Sequence, residues 1–259
     1  MATKAYGRMV FWEGASLWLF GARPGERYPK TAPHAHHAIQ VTLALRGEIT
    51  LESRDAQIRG EAAAVAPDTE HTFGADAEGM IAHLFIDPEG RPGRELQRAL
   101  FAGGGSIVAI AAERLADLPA RLRTGFDAAR RTDRSFIELG RELVAQLAPG
   151  SERDLRPEVR VRKMSAWAAE RLDTPISLAD AAAHVGLSHG RARHLFVEET
   201  GLPFRTYLLW LRLTRAVELF SAGESLTEAA HGAGFSDSSH LSRTFRRMFG
   251  IAADTLRIM

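Results

Sequence analysis

The sequence contains no cysteine. Disulfide bonds, zinc sites built from thiolates and redox sensing by thiols are therefore excluded. It also lacks any apolar run near the roughly 20 residues that a membrane-spanning helix needs, and no long apolar segment follows a basic start. We therefore expect neither a signal peptide nor a membrane partner, and we expect a cytoplasmic protein.

A large net charge is missing as well, since 33 Lys and Arg stand against 32 Asp and Glu. The small excess is uneven. Residues 156–259 carry 14 Lys and Arg against 11 Asp and Glu, a net charge of +3, which leaves −2 for the rest of a chain whose total is +1. A mildly basic C-terminal part favours a nucleic-acid partner. The 259 residues, 45% of them hydrophobic, suffice for two domains with their own cores.

The last hundred residues contain one pattern twice. Residues 177–188 read SLADAAAHVGLS, and residues 225–236 read SLTEAAHGAGFS, 48 positions later. Each copy starts with a serine suited to cap a helix and has an acidic residue three positions on, as in a capping box. Gly186 and Gly234 then permit a left-handed turn before a second helix. The pattern predicts two helix-turn-helix units, which can place two helices against one DNA duplex.

Residues of about 160–259 resemble the DNA-binding domain of AraC/XylS transcription regulators. The stretches that carry the resemblance are Gly186-Leu187-Ser188, His194-Leu195-Phe196, Glu199-Thr200-Gly201, Leu211-Arg212-Leu213, Gly234-Phe235-Ser236-Asp237-Ser238-Ser239, Arg243-Thr244-Phe245-Arg246 and Phe249-Gly250. The resemblance implies seven helices. It places the two units at about 177–197 and 225–246, with a long helix over 203–220 between them.

The second helix of each unit is predicted to bury an apolar stripe and to turn a polar face to DNA. The predicted DNA-contacting residues, by their position in the family motif or on the same face, are Gly190, Arg191, Arg193, His194, Ser238, Ser239, Ser242, Arg243 and Arg246. Gly190 offers no side chain. We therefore expect Arg193, which can pair with guanine through two hydrogen bonds, to dominate base recognition by the first unit.

Residues 1–90 are predicted to form a small antiparallel β-barrel or sandwich, because short apolar runs recur between turn residues. Gly47 is expected to turn a hairpin between the first two runs. The runs are 41–45, 49–52, 63–67 and 80–86.

Residues 91–155, a linking region, have helical periodicity with wide apolar stripes. The stripes can pack onto the barrel or form a homodimer interface, and we predict the homodimer interface. Residues 156–259 are predicted to be all helical. The expected fold class is therefore α+β, with an antiparallel β-domain, a helical linker and a C-terminal domain of two helix-turn-helix units.

A histidine-rich segment precedes the first predicted strand. The spacing of His34, His36, position 40 and Gly47 resembles the first cupin motif, and a segment ending at His71 resembles the second. The resemblance implies a cupin-like barrel. On a strand, His34 and His36 would point to one face, where His71 could join them. Position 40 is Gln40 rather than glutamate, which argues against an iron oxygenase site.

Three interpretations of this segment are open, and its candidate ligand-binding residues are His34, His36, His37, Gln40 and His71. His34, His36 and His71 suit a transition metal such as zinc, nickel, copper or iron. The imidazoles can instead line a pocket for a small organic molecule, walled by Trp12, Trp18, Phe20, Phe73 and Phe85. Their role can also be purely structural. His83, in an apolar strand, is expected to be a core residue.

The sequence therefore predicts a DNA-binding transcription regulator, not an enzyme, that responds to an effector through its N-terminal barrel. Its expected partners are double-stranded promoter or operator DNA, a small-molecule or metal effector, RNA polymerase and a second copy of the chain. Two alternatives stay open: a constitutive regulator whose barrel only dimerises, and a cupin metalloenzyme fused to a DNA-binding domain. Nothing in the residues distinguishes an activator from a repressor.

Overall fold

The structure is a computed structural model, which describes residues 5–12, 14–22, 28, 30–76, 78–88, 90–127, 132–148, 158–249 and 256–258. The elements of the N-terminal part are β1 (Ala5–Trp12), β2 (Ala15–Gly21), β3 (Ile39–Arg46), β4 (Ile49–Ser53), β5 (Gln57–Gly60), β6 (Ala62–Val65), β7 (His71–Ala75), β8 (Met80–Ile86), α1 (Arg91–Phe101), β9 (Ile107–Ala109), a short 3₁₀ turn (Ala112–Arg114), α2 (Leu118–Asp127) and α3 (Asp133–Leu147). Those that follow are α4 (Val159–Ala169), α5 (Leu178–His184), α6 (His189–Thr200), α7 (Phe204–Ser221), α8 (Leu226–Gly232), α9 (Ser238–Phe249) and β10 (Leu256–Ile258).

The described strands form two sheets. One has the order β10-β1-β2-β8-β3-β6-β9 and the other has the order β5-β4-β7. The pairing is antiparallel throughout, except that β10 runs parallel to β1. The expected α+β class is confirmed, with an N-terminal antiparallel sheet part and a C-terminal helical part. None of the helices in the described residues is long and apolar enough to span a bilayer.

The hairpin predicted at Gly47 is wrong. Gly47 does turn the chain, with φ at 75°, but β3 pairs with β6 and β8 while β4 pairs with β5 and β7. The glycine therefore carries the chain from one sheet to the other. A turn residue reports the local backbone conformation and does not select the strands that pair on either side of it.

Both faces of the larger sheet are covered, and its strand β2 is apolar over four successive residues. β2 buries Leu17, Trp18, Leu19 and Phe20 in succession, each at most 3% exposed. In a sheet with one solvent-exposed face, buried and exposed residues would alternate along the strand. Leu17 and Leu19 belong to the core beneath α1, α2 and α3. Trp18 and Phe20 belong to the second core, which joins the two sheets and also takes in residues of the helical part such as Phe245 of α9.

The apolar stripes of α1, α2 and α3 pack on the sheet within one chain. Leu96, Leu122, Phe136 and Leu143 are at most 1% exposed, and they share a core with Val41 of β3. These stripes were the reason to predict dimerisation, and their burial removes that reason. A homodimer stays a prediction that needs another surface.

Each helix-turn-helix unit begins with the expected capping box. The Ser177 hydroxyl accepts the Asp180 N–H at 3.3 Å and the Asp180 carboxylate accepts the Ser177 N–H at 3.0 Å. Ser225 and Glu228 repeat the arrangement at 3.2 and 2.9 Å. Hydrogen bonds from the serine hydroxyl and from the serine backbone N–H lower the carboxyl pKa of Asp180 and of Glu228. The serines therefore fix where α5 and α8 start.

The turns that follow are left-handed, as predicted, with φ of 69° at Gly186 and 78° at Gly234. At Gly234 a side chain would also clash with the Leu172 carbonyl and approach Arg212. Of the seven helices that the resemblance implies, six lie in the described residues as α4 to α9, including the long joining helix α7. The described residues beyond α9 form a strand, β10.

We expect Ser177→Ala to lower the free energy of unfolding by about 1 kcal/mol, because the Asp180 N–H loses its acceptor. The matched control is Ser177→Gly, for which a loss of only a few tenths of a kcal/mol is expected, since glycine suits the N-cap backbone. Urea denaturation followed by circular dichroism measures both. An alanine variant as stable as the wild type would contradict the capping role.

Candidate nucleic-acid interface and histidine cluster

The second helix of each unit, α6 and α9, buries its apolar stripe and exposes the face predicted to contact DNA. The stripe residues Ala192, Leu195, Phe196, Leu241, Thr244 and Phe245 are at most 5% exposed. On the other side Gly190, Arg191, Arg193, His194, Ser239, Arg243 and Arg246 are exposed, and Ser238 and Ser242 are half-buried. Both helices thus hold the predicted residues where a ligand can reach them.

The first turn of α9 is fixed by the residues just before it. The Asp237 carboxylate accepts the backbone N–H of His240 at 2.6 Å and a hydrogen bond from the Ser236 hydroxyl at 3.0 Å. These bonds, the backbone one first, lower the pKa of the Asp237 carboxyl. The turn that carries Ser238 and Ser239 is therefore held in place, as an element that reads base edges requires.

The helix α7 sets the distance between the two units. It has 18 residues, which makes it about 27 Å long at about 1.5 Å per residue. Successive major grooves on one face of B-DNA lie about 34 Å apart. The length of α7 is therefore comparable with this groove separation.

A groove of about 1040 Å³ runs between the two units, and arginine and histidine side chains form part of its lining. Among its residues are His189 and Arg193 of α6, Arg205 and Arg212 of α7, and His240 of α9. Arg205 and Arg212 are seven positions apart, which places them on one face of the helix. Sequence reasoning missed them as candidate phosphate contacts, although this spacing on the joining helix was the available signal.

The structure brings His34, His36 and His71 together, with ligand nitrogen atoms within 4.8 Å of one another. His34 forms an isolated β-bridge with His71. His36 lies between that bridge and the start of β3. The expectation that both histidines sit on a strand is therefore wrong. An extended segment that ends before the strand positions them instead.

The hydrogen bonds of the three rings fix their tautomers. His34, His36 and His71 each form a hydrogen bond from Nδ1 to a backbone carbonyl oxygen two residues away, at 2.8 to 2.9 Å. A carbonyl oxygen only accepts, so Nδ1 carries the proton and donates. Burial lowers the pKa of all three rings, that of His71 to about 4. At neutral pH each Nε2 therefore presents a lone pair.

Gln40, only 2% exposed, lies at the centre of the cluster. Its Oε1 is 2.9 Å from Nε2 of His36 and 3.3 Å from Nε2 of His71. Its Nε2 donates to the Thr42 hydroxyl at 2.9 Å, and that oxygen is 2.8 Å from Nδ1 of His83. A continuous polar network thus extends from the histidines into the space between the sheets.

His83 is buried, as expected for a core residue, at 7% exposure. It nevertheless belongs to the network through Thr42, and burial lowers its pKa to about 3. The pairing of Thr42 with His83 across β3 and β8 places both on the face that carries Gln40. Sequence reasoning missed this role, because the register of two strands 41 residues apart has no local signal.

His37 lies apart from the three converging histidines. Its Nδ1 is 2.9 Å from the Asp68 carboxylate, and its side chain is 54% exposed. Of the aromatic residues expected to wall a pocket, Trp18, Phe20, Phe73 and Phe85 are at most 6% exposed in the core between the sheets. Trp12 lines a different cavity of about 370 Å³ beside α3, α4 and α7.

A cavity of about 290 Å³ separates the histidine cluster from the joining helix. His36, Ala38 and Phe85 are on one side, and Thr206 and Trp210 of α7 are on the other. The same ring of His36 therefore contacts Gln40 and faces the helical part. A displacement of the His36 ring would therefore change the wall of the cavity that faces α7, the helix between the two units.

Comparison with known proteins bears on the helical part. The helix-turn-helix domain family matches residues 181–258. The transcriptional activator RhaS of Escherichia fergusonii is 32% identical over 107 residues, which are 41% of this chain and 38% of RhaS. RhaS of Klebsiella pneumoniae strain 342 is 33% identical over 93 residues, 36% of this chain and 34% of RhaS. The chain thus spans less than two fifths of the length of these relatives. The part of the chain from residue 181 onward is therefore similar to the helix-turn-helix part of these regulators.

The whole fold of this chain is similar to that of ToxT from Vibrio cholerae O395. The TM-score is 0.52 at 12% identity, over 92% of this chain and 95% of ToxT. A ToxT structure with a bound unsaturated fatty acid gives a TM-score of 0.51 at 12% identity, over 92% and 93% of the two chains. At this identity the likeness shows the fold alone, a sheet part followed by a helical part.

The C-terminal end of α6 is fixed to the N-terminal part by one buried carboxylate. Glu199 is 7% exposed. Its Oε1 accepts from the Arg91 guanidinium at the start of α1, and its Oε2 accepts the N–H of Glu158, which caps α4, at 3.0 Å. The backbones are also close, because a side chain at Gly201 would clash with the backbone nitrogen of Gly90 as well as with the Asp87 carboxylate.

We expect Glu199→Ala to lower the free energy of unfolding by about 2 kcal/mol. This is less than the roughly 3–5 kcal/mol for a fully buried pair, because the Arg91 side chain is 34% exposed and water can solvate it. Urea denaturation measures the change. The neighbouring Glu198→Ala is the control, expected within about 0.5 kcal/mol of the wild type because Glu198 is exposed. An equal loss of unfolding free energy in the two variants would show that the buried Glu199–Arg91 pair stabilises the fold no more than an exposed glutamate does.

Proposed function

We propose that the protein regulates transcription by binding double-stranded promoter DNA through both helix-turn-helix units, and that a ligand of its N-terminal part adjusts this binding. The observation that carries the proposal is the pair of exposed helix faces on α6 and α9, held at a fixed spacing by α7. In this proposal residues 1–90 are the sensor domain, 91–155 the linking region and 156–259 the DNA-binding domain.

The exposed residues divide by chemistry. Arg193 and Arg243 lie in the middle of α6 and α9, and we assign them to guanine edges, which offer two acceptors to one guanidinium. Arg205 and Arg212, which line the groove between the units, are assigned to phosphate oxygens. The remaining predicted contacts, Gly190, Arg191, His194, Ser238, Ser239, Ser242 and Arg246, complete the two surfaces. Phosphate contacts fix the register of the protein, and base contacts select the sequence.

Effector response follows from where the two parts meet. The cavity beside His36 and the Glu199 contacts both join the sensor domain to helices that present or space the DNA-contacting residues. A ligand changes DNA affinity only if it binds two arrangements of this junction with different affinity. The fatty acid held by ToxT supports a ligand site in a chain of this fold. The activator role of the RhaS relatives favours activation, and with it contact with RNA polymerase.

Arg193→Ala and Arg243→Ala are each expected to weaken binding by about 1–3 kcal/mol, which raises Kd about 5- to 150-fold. Each change should also relax preference at one base position, because a guanine loses its partner. Fluorescence anisotropy with the promoter fragment next to the coding region measures affinity, and selection from randomised duplexes measures preference.

Arg59→Ala is the matched control, since Arg59 is an exposed arginine of the sheet part that contacts Glu48. Its affinity for DNA should equal that of the wild type. Unchanged affinity and unchanged base preference in both recognition-helix variants would overturn the assignment.

Sedimentation equilibrium of the same samples tests the predicted homodimer, and a monomer at micromolar concentration would contradict it.

A further inference from the structure

We propose that the ligand of the sensor domain is a divalent transition-metal ion, bound by Nε2 of His34, His36 and His71 together with Oε1 of Gln40. The link from this ion to DNA affinity rests on the proposed function. The site itself rests on the geometry of the histidine cluster alone.

The first argument is an unsatisfied contact between acceptors. Nε2 of His36 and Oε1 of Gln40 are 2.9 Å apart, and Nε2 of His71 approaches the same oxygen at 3.3 Å. Because Nδ1 of each ring donates to a carbonyl, neither Nε2 carries a proton in the neutral ring. Lone pairs at this distance repel each other unless a cation lies between them. A metal ion relieves the repulsion and bonds to every atom involved.

The second argument is the orientation of the rings. A histidine that binds a metal through one nitrogen almost always donates from the other to a carbonyl, carboxylate or water, which fixes the tautomer and aims the ring. His34, His36 and His71 all have this arrangement at Nδ1. A purely structural cluster has no need for three rings with the same tautomer facing one point.

The third argument is distance. Metal–nitrogen bonds of about 2.1 Å place neighbouring ligands about 3.0 Å apart in an octahedron and about 3.4 Å apart in a tetrahedron. The contacts of Gln40 with His36 and His71, at 2.9 and 3.3 Å, already match these separations. The histidine nitrogens lie within 4.8 Å of one another, so the rings close by about 1 Å around an ion with bonds of about 2.1 Å.

The donor set selects the kind of ion. Three imidazole nitrogens and one amide oxygen favour zinc, copper, nickel or cobalt, because hard cations such as magnesium and calcium prefer oxygen ligands throughout. The set has no thiolate, and its fourth ligand is neutral. The ion therefore keeps its double positive charge, which gives the site only modest affinity, as a reversible sensor needs.

The contraction also supplies a route to the DNA-binding domain. His36 is on the wall of the 290 Å³ cavity that faces Thr206 and Trp210 of α7. When His36 moves toward the ion, this wall moves with it. The position of α7 relative to the sensor domain then differs between metal-free and metal-bound protein.

The main competitor is a network without metal. If the Gln40 amide is rotated by 180°, its NH₂ group donates to His36 and His71, and no cation is needed. Gln40→Glu separates the two states, because a carboxylate has no N–H to donate but is a stronger metal ligand. If the cluster binds metal, Gln40→Glu raises its affinity for the metal ion at least about tenfold, since a negatively charged ligating group binds a cation more tightly than a neutral one.

The experiment uses untagged full-length protein, stripped with a chelator and titrated separately with Zn²⁺ and Co²⁺. Elemental analysis after desalting gives the stoichiometry, and visible absorption of Co²⁺ reports its ligands. The wild type and His37→Ala are expected to bind one equivalent. His37 comes from the same segment but lies outside the cluster. His36→Ala and His71→Ala are expected to bind at least about a hundredfold more weakly.

His71 is buried, so circular dichroism checks the fold of each variant, and the partly buried His34→Ala replaces any variant that fails to fold. Equal binding by the wild type and His36→Ala, or weaker binding by Gln40→Glu, overturns the site. Promoter binding, measured with and without Zn²⁺, separates the two proposals. A protein that binds DNA but no ion keeps its regulatory function and loses the metal site. A protein that binds one ion but no DNA keeps the site and loses the proposed function.

Discussion

The coupling of the two halves of this chain depends on the rule that a buried carboxylate must be paired. Glu199 satisfies it with Arg91 on one side and the Glu158 amide on the other, so α1, α4 and α6 meet at one charge. Arg193 lies in the middle of the same helix. The orientation of α6 is therefore set by the N-terminal part as well as by its own helix-turn-helix unit.

The helical part could be predicted from the sequence because its determinants are local. Ser177 and Ser225 cap their helices with acidic residues three positions away, and Gly186 and Gly234 turn within the same few residues. Burial of the stripes on α6 and α9 follows from helical periodicity. The basic groove was missed because it forms only when α7 places Arg212 beside a second unit.

The sheet part was predicted only in outline. β3, β4, β6 and β8 correspond to the predicted apolar runs, but β2 is apolar on both faces and periodicity cannot separate such a strand from a buried helix turn. Strand order is long-range, so Gly47 was misread as a hairpin turn. The histidine cluster was anticipated as a set. Its link to His83 depends on a register that only the folded sheet defines.

The short strand β10 extends the larger sheet with residues from beyond α9, since residues 256–258 pair in parallel with residues 5–7. It is one of several contacts between the sheet and the helical part. Trp18 of β2 stacks on Phe245 of α9 with ring centroids 6.2 Å apart, and Phe11 of β1 meets Trp210 of α7 edge to face at 6.1 Å. A displacement of the helical part against the sheet therefore has to break aromatic contacts as well as the three paired residues of β10.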